Sequence, residues 1–184
     1  MIVPRQAALE LSEILRPNEK VIWAARPDPL STLRTKIVVW WVGVPLCGAV
    51  FGLTMSGKVS SSFLVPLGLV GFALMAAPFV MLFENALTTY AITNRRALIV
   101  RRPPSRPPLV SYNFDAMDDK LEILETGGGA GHIYFASGLS TKMRDTDYTG
   151  KLAFRDVGNA HEVAKVLDKA RGKPKPVTKS RGKP

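Results

Sequence analysis

The sequence predicts a two-helix transmembrane hairpin followed by a mainly β barrel or sandwich capped by a C-terminal α-helix. Three observations carry this. Two long runs, Ile37 to Ser56 and Phe63 to Phe83, contain no charged residue. After Phe83, short stretches rich in β-branched and aromatic residues alternate with turn residues. Near the end, residues 160–170 repeat apolar side chains at helical spacing.

Of the 184 residues 46% are hydrophobic, yet the mean hydropathy is only +0.08, so apolar residues must be concentrated in part of the chain. They lie between Ile37 and Phe83. Each run holds about twenty residues, enough to cross a hydrocarbon core about 30 Å thick. Pro45, Pro66 and Pro78 fall inside them, which membrane helices tolerate. Gly57 to Ser62 allows only a tight connection, so the helices run antiparallel. Gly43, Gly48, Ala49 and Gly52 on the first, with Gly68, Gly71, Ala73 and Ala76 on the second, are expected to permit close approach.

The formal net charge is +10. Arg26, Arg34 and Lys36 precede the first span, Arg95, Arg96, Arg101 and Arg102 follow the second, and only Lys58 lies between them. Cytoplasmic flanks collect Lys and Arg, so the expected location is the inner (cytoplasmic) membrane, multi-pass, with both termini cytoplasmic. Trp40 and Trp41 suit the interfacial aromatic belt. Most Trp and Phe residues lie in or beside the apolar block and not among the basic residues, as a nucleic-acid module would want, so no nucleic-acid partner is expected. The first apolar run starts too late and is too long for a cleavable signal peptide. The single cysteine, Cys47, has no intrachain partner and reads as an apolar filler.

The flanks divide as residues 1–36, an amphipathic helix and pre-membrane segment; 84–170, the β domain; and 171–184, a disordered basic tail. In the first, Gln6 to Leu15 places Ala7, Leu11, Ile14 and Leu15 on one face, to pack on the soluble domain or to lie on the membrane surface. The end of Leu15 to Trp23 can form a short strand. In the β domain, strands are expected over residues 87–93, 97–100, 109–114, 121–126, 133–136 and 152–154. Asn94 to Arg96 forms a turn, and Gly127 to Gly131 a flexible hairpin tip. Asn159 is an expected N-cap, with Glu162 completing a capping box. Ala160, Val163, Ala164, Val166, Leu167 and Ala170 form the apolar stripe of the last helix.

Tyr90-Ala91-Ile92-Thr93-Asn94-Arg95-Arg96-Ala97-Leu98-Ile99 resembles the first hairpin of the bacterial pleckstrin-homology-like (PH-like) domains of membrane proteins. Leu15-x-Pro17-x-Glu19-x-Val21-x-Trp23 with Arg26-Pro27 resembles the segment those proteins place before their transmembrane pair. Phe154-Arg155-Asp156-Val157 leading into Ala160-His161-Glu162-Val163 resembles their last strand and capping helix. The resemblance implies a PH-like barrel, and an interaction or assembly module in place of an enzyme.

The residues offer little for catalysis. His132 and His161 have no partner at metal-ligand spacing, and the glycine run lacks the Lys-Ser/Thr of a phosphate loop. Asp115, Asp118 and Asp119 lack the calcium-loop ladder. No cofactor, metal, nucleic acid or small-molecule substrate is expected. Two readings remain: a membrane-anchored scaffold for a membrane-protein partner or self-association, and a sensor of anionic membrane lipids. The lipid contacts would be Arg101, Arg102, Arg106, Lys173, Lys175 and Lys179, with the tail otherwise a solvated end.

Overall fold

The computed structural model describes residues 11–57, 59–102, 109–141, 146–172 and 178–180. The chain forms two compact units, one from Met1–Ser31 with Asn85–Pro184 and the other from Thr32–Glu84.

The first unit is a β sandwich whose chain is discontinuous. Strand β1 (Val21–Ala25) precedes the apolar helices, while its sheet neighbour β2 (Thr88–Thr93) follows them. Ala25 stands opposite Tyr90, so the chain leaves this unit and re-enters it at adjacent strands. With β3 (Arg96–Arg101) and β4 (Leu109–Asn113) they form an antiparallel sheet in the order β1-β2-β3-β4. A second antiparallel sheet holds β7 (Leu152–Val157), β6 (Ala130–Ala136) and β5 (Glu122–Gly127) in that spatial order. Strand β8 (Thr178–Ser180) adds in parallel along the free edge of β5. The sequence reading starts the β domain at residue 84 and ends it at 170. The structure adds the 11–25 segment before the helices and β8 after them, because each supplies backbone partners to a strand edge.

The core explains the strand sequences. Trp23, Tyr90, Ile92 and Ile99 from the first sheet meet Ile123, Ile133, Phe135 and Phe154 from the second. Helix α3 (Ala160–Ala170) closes this core with Ala160, Val163, Ala164 and Leu167, while Val166 and Ala170 pack at its margin. The other face of the first sheet is covered as well. Leu11 packs with Ala24, Ala91, Leu98 and Val100, and Ile14 and Leu15 pack beside them. The described end of the N-terminal segment therefore packs on the domain; Ala7 lies outside the described residues. With both faces covered, every residue of β2 is buried.

Two local expectations change. Arg96 begins β3, opposite Asn113, so the hairpin turn is shorter than Asn94 to Arg96. Asn159 does precede α3, but its φ of +52° is left-handed and its side chain makes no capping bond. The Asn159 carbonyl instead accepts from the N–H groups of Glu162 and Val163, and Gly129 O accepts from Ala160 N–H at 3.1 Å. Gly128 and Gly129, with φ of +66° and +78°, supply the turn that brings this carbonyl to the helix. The glycine tip is thus pinned to α3.

The second unit holds most of α1 (Pro29–Ser56) and α2 (Ser61–Ala86), which pair along their glycines. A Cβ on Gly43 would stand 2.6 Å from Met75 N, and one on Gly71 would stand 2.8 Å from Cys47 Sγ. Gly68 faces Val50. Contacts that ascend α1 while descending α2 make the pair antiparallel. Gly48 and Gly52 meet nothing within 4 Å, and Ala49 and Ala73 are exposed. They are not part of the packed seam, because residues 43, 47 and 50 already define the facing side of α1.

Ile37–Ser56 and Ser62–Ala86 are long and apolar enough to span a membrane, and only 6% and 17% of an 18-residue apolar stretch within each is buried. A core helix of a soluble protein would be enclosed by its own chain. The hydroxyls of Thr54 and Ser56 donate back to the Val50 and Leu53 carbonyls of their own helix.

Candidate functional site

The motif Tyr90, Thr93, Asn94, Arg95 and Arg96 divides between core and hairpin tip. At the tip, β2 turns into β3 against residues 16–20. Arg96 Nε donates to Glu19 Oε1 and Nη2 to Glu19 Oε2, each at 2.8 Å. Arg96 Nη1 donates to Ser111 Oγ at 2.9 Å and Nη2 also reaches Ile14 O at 3.3 Å. The Arg96 and Glu19 side chains are 5% and 0% exposed, so this is a buried, two-pronged ion pair. Glu19 further accepts from Arg16 N–H, and the Thr93 hydroxyl lies 2.8 Å from its Oε1. The Arg96 guanidinium holds the Glu19 carboxyl down to about 2, overriding the opposite effect of burial.

Thr93 and Asn94 complete the junction. The Thr93 oxygen accepts from Arg95 N–H and Arg96 N–H, which shapes the turn. Asn94 N–H donates to Lys20 O, and Asn94 Oδ1 accepts from Lys20 N–H, both at 3.0 Å. Its amide also donates to Asn18 O. Tyr90 lies in the core, its ring 4.9 Å from Phe154 and its hydroxyl accepting from Arg155 N–H. Burial pushes the Tyr90 phenol up to about 12. Apart from core Tyr90 and exposed Arg95, the motif holds the N-terminal segment on the sandwich.

The basic residues read as lipid contacts occupy separate places. Arg101 is half-buried at the end of β3 opposite Thr88, and exposed Arg102 donates its N–H to Leu87 O at 3.0 Å. Both stand at the root of the β2–β3 hairpin, where the chain enters β2. Lys179 lies on the second sheet, in β8 opposite Ile123. Arg106, Lys173 and Lys175 lie outside the described residues. The described members are thus divided between the two sheets, Arg101 in the first and Lys179 in the second.

A polar cluster escaped the sequence reading. Ser31 Oγ donates to Asp156 Oδ1 at 2.8 Å and lies 2.6 Å from Thr126 Oγ1. Asp156 has a φ of +52°, its N–H donates to His132 Nδ1 at 3.0 Å, and its carbonyl accepts from Asp28 N–H. Since His132 Nδ1 is an acceptor here, the ring proton sits on Nε2. The serine hydroxyl thus meets the Asp156 carboxylate, while the histidine nitrogen meets the Asp156 N–H. The partners of Asp156 lie 125 and 24 residues away, beyond any local motif.

His161 Nε2 lies 2.7 Å from Glu125 Oε1, an exposed pairing across α3 and β5. Among the described residues no group of His, Cys, Asp or Glu could hold a metal ion. In the helical unit, Val50, Thr54, Val59, Leu64, Val65, Gly68 and Leu69 line an apolar groove of about 540 Å³. Its lining suits hydrocarbon, since the Thr54 hydroxyl is already engaged. Comparison with known protein families, characterised proteins and solved structures yields no match to this chain.

Proposed function

We propose that the chain is a membrane-anchored PH-like interaction module that supports assembly or oligomerisation of a membrane-protein complex. One observation carries the reading: a single β unit is assembled from segments on either side of two lipid-length apolar helices. Strands β1 and β2 can pair only if both lie in the same compartment, so helices that cross must cross an even number of times. A four-stranded and a three-stranded antiparallel sheet closed by a C-terminal helix support the PH-like assignment. The lopsided basic flanks favour the cytoplasm as that compartment. Aromatic residues such as Trp41, Phe51, Phe63, Phe72 and Phe79 are exposed along the helices and offer surface to lipid or to partner helices.

Two measurements test this. A cysteine at Ser60 in a Cys47→Ala background is expected to react with an impermeant thiol reagent in intact cells, and one at Thr178 is not. The reverse pattern overturns the orientation. Cross-linking in native lipid is then expected to recover a stoichiometric membrane-protein partner or a second copy. Recovery of an uncross-linked monomer overturns the assembly reading.

The position of Arg101 and Arg102 favours a second reading, a sensor of anionic lipid. They stand beside Leu87, directly after α2 ends at Ala86, where a membrane-anchored chain would meet headgroups. Each well-placed basic residue near such a surface contributes about 1 kcal/mol.

A further inference from the structure

The free edge of β5 is the place where the C-terminal segment seats. Glu122, Ile123 and Leu124 stand opposite Thr178, Lys179 and Ser180 in parallel register. A terminal strand with unpaired amides is a ready template for another chain, and proteins cover such edges. Among the described residues the cover is three residues long, against six in β5. Three paired residues make few main-chain bonds, which a longer strand on the same edge would exceed.

Charge complementarity identifies what fits. The protein carries 15 acidic and 25 basic residues, and five of the acids, Asp115, Asp118, Asp119, Glu122 and Glu125, fall within residues 115–125. That stretch leads into and forms β5. From Arg171 onward the chain has Arg171, Lys173, Lys175, Lys179, Arg181 and Lys183 and no acid. Residues 178–180 of that basic stretch thus pair with residues 122–124 of the acidic one. Helix α3 contacts β6 and β5, carrying the chain from β7 across the second sheet toward that edge. Six peptide steps separate Gly172 from Thr178, a reach of at most about 20 Å.

We infer that the β5 edge is an acceptor site for a basic, extended peptide strand, which the chain's own C-terminus occupies in the resting protein. Main-chain hydrogen bonds provide affinity, and the acidic stretch, whose Glu122 and Glu125 also meet Lys151 and His161, favours a basic, acid-free segment. A short tether gives the resident strand an effective concentration of about millimolar, so a partner segment binds well only when the tail is absent or drawn away. The inference deepens the interaction-module reading by assigning its surface. Membrane anchoring is tested separately by labelling at residue 60.

The test uses the full chain and a variant lacking residues 173–184, both in nanodiscs. The probe is a fluorescent peptide of residues 173–184, followed by anisotropy. The truncated protein is expected to bind it saturably, and the full chain at least about tenfold more weakly, since its own tail competes. Backbone N-methylation at Lys179 and Ser180 keeps every charge but removes the strand donors, and should abolish binding. Lys179→Pro in the full chain should restore peptide binding toward the truncated level without touching the core. Three outcomes each overturn the acceptor edge: equal binding by full and truncated protein, undiminished binding of the methylated peptide, or no binding to either variant.

Discussion

Glu19 and Arg96, 77 residues apart and on opposite sides of both apolar helices in sequence, form the buried ion pair that joins the N-terminal segment to the β2–β3 hairpin. Removing one partner strands the other charge, so Glu19→Gln or Arg96→Met should each lower the stability of the β unit by roughly 3–5 kcal/mol. The double change to Met at both positions should recover much of that loss. Denaturant unfolding of the full chain, followed by Trp23 in a Trp40→Phe, Trp41→Phe background, checks this. Additive single losses would show that the two residues act independently.

The same pair makes a pH prediction. The Glu19 carboxyl is lowered from 4.5 to about 2, so the folded state binds its proton less readily than the unfolded chain. Its contribution is fully present above about pH 4.5 and is lost as pH falls toward 2, amounting to roughly 3 kcal/mol. Acid unfolding of the Glu19→Gln protein should lack this component. An unchanged acid profile would show that the pair does not govern it.

The discontinuous sandwich makes residues 84–184 an incomplete domain. Without β1 the edge of β2 is open, and Trp23 is missing from the ring cluster around Phe154, 6.2 Å away. That fragment should show no cooperative thermal transition. Replacing Thr32–Glu84 with a short flexible linker should restore one, because Ala25 and Tyr90 already stand opposite each other. A cooperatively folding fragment 84–184 would mean that β1 is dispensable.

The helix pairing can be trapped chemically. A side chain at Gly71 starts 2.8 Å from Cys47 Sγ, so Gly71→Cys should cross-link to Cys47 under mild oxidation and migrate faster on a non-reducing gel. Gly48→Cys, on the exposed side, should form no intrachain link. Cross-linking at both positions or at neither would point to a different seam.

Patterns confined to one segment were legible in the sequence. The apolar runs follow from composition, β2 and β3 from β-branched residues, and α3 from its apolar spacing. Relationships across the chain were hidden. Arg96 reads as a turn residue until Glu19 arrives from before the helices, and Ser31 meets Asp156 only after the sheets assemble. Smallness alone could not separate Gly43 and Gly71, which face each other's helix, from Gly48 and Gly52, which do not. Asn159 has the chemistry of a cap, but its left-handed backbone turns the role over to its carbonyl.

The lipid-sensing reading makes its own demand on Arg101 and Arg102. The backbone around them includes the Arg102 N–H bond to Leu87 O, whose opening is readable by hydrogen exchange. If headgroups engage these side chains, exchange at residues 99–102 should slow in phosphatidylglycerol nanodiscs relative to phosphatidylcholine ones. The difference should shrink with salt, because screening shortens from about 10 Å at 0.1 M to about 3 Å at 1 M. Arg101→Gln with Arg102→Gln should erase it in the full chain. Removing residues 173–184 should leave it intact, since the described part of the tail lies on the second sheet. Identical exchange in the two lipids at low salt would eliminate anionic-lipid sensing at this position and leave protein contacts as the work of the module.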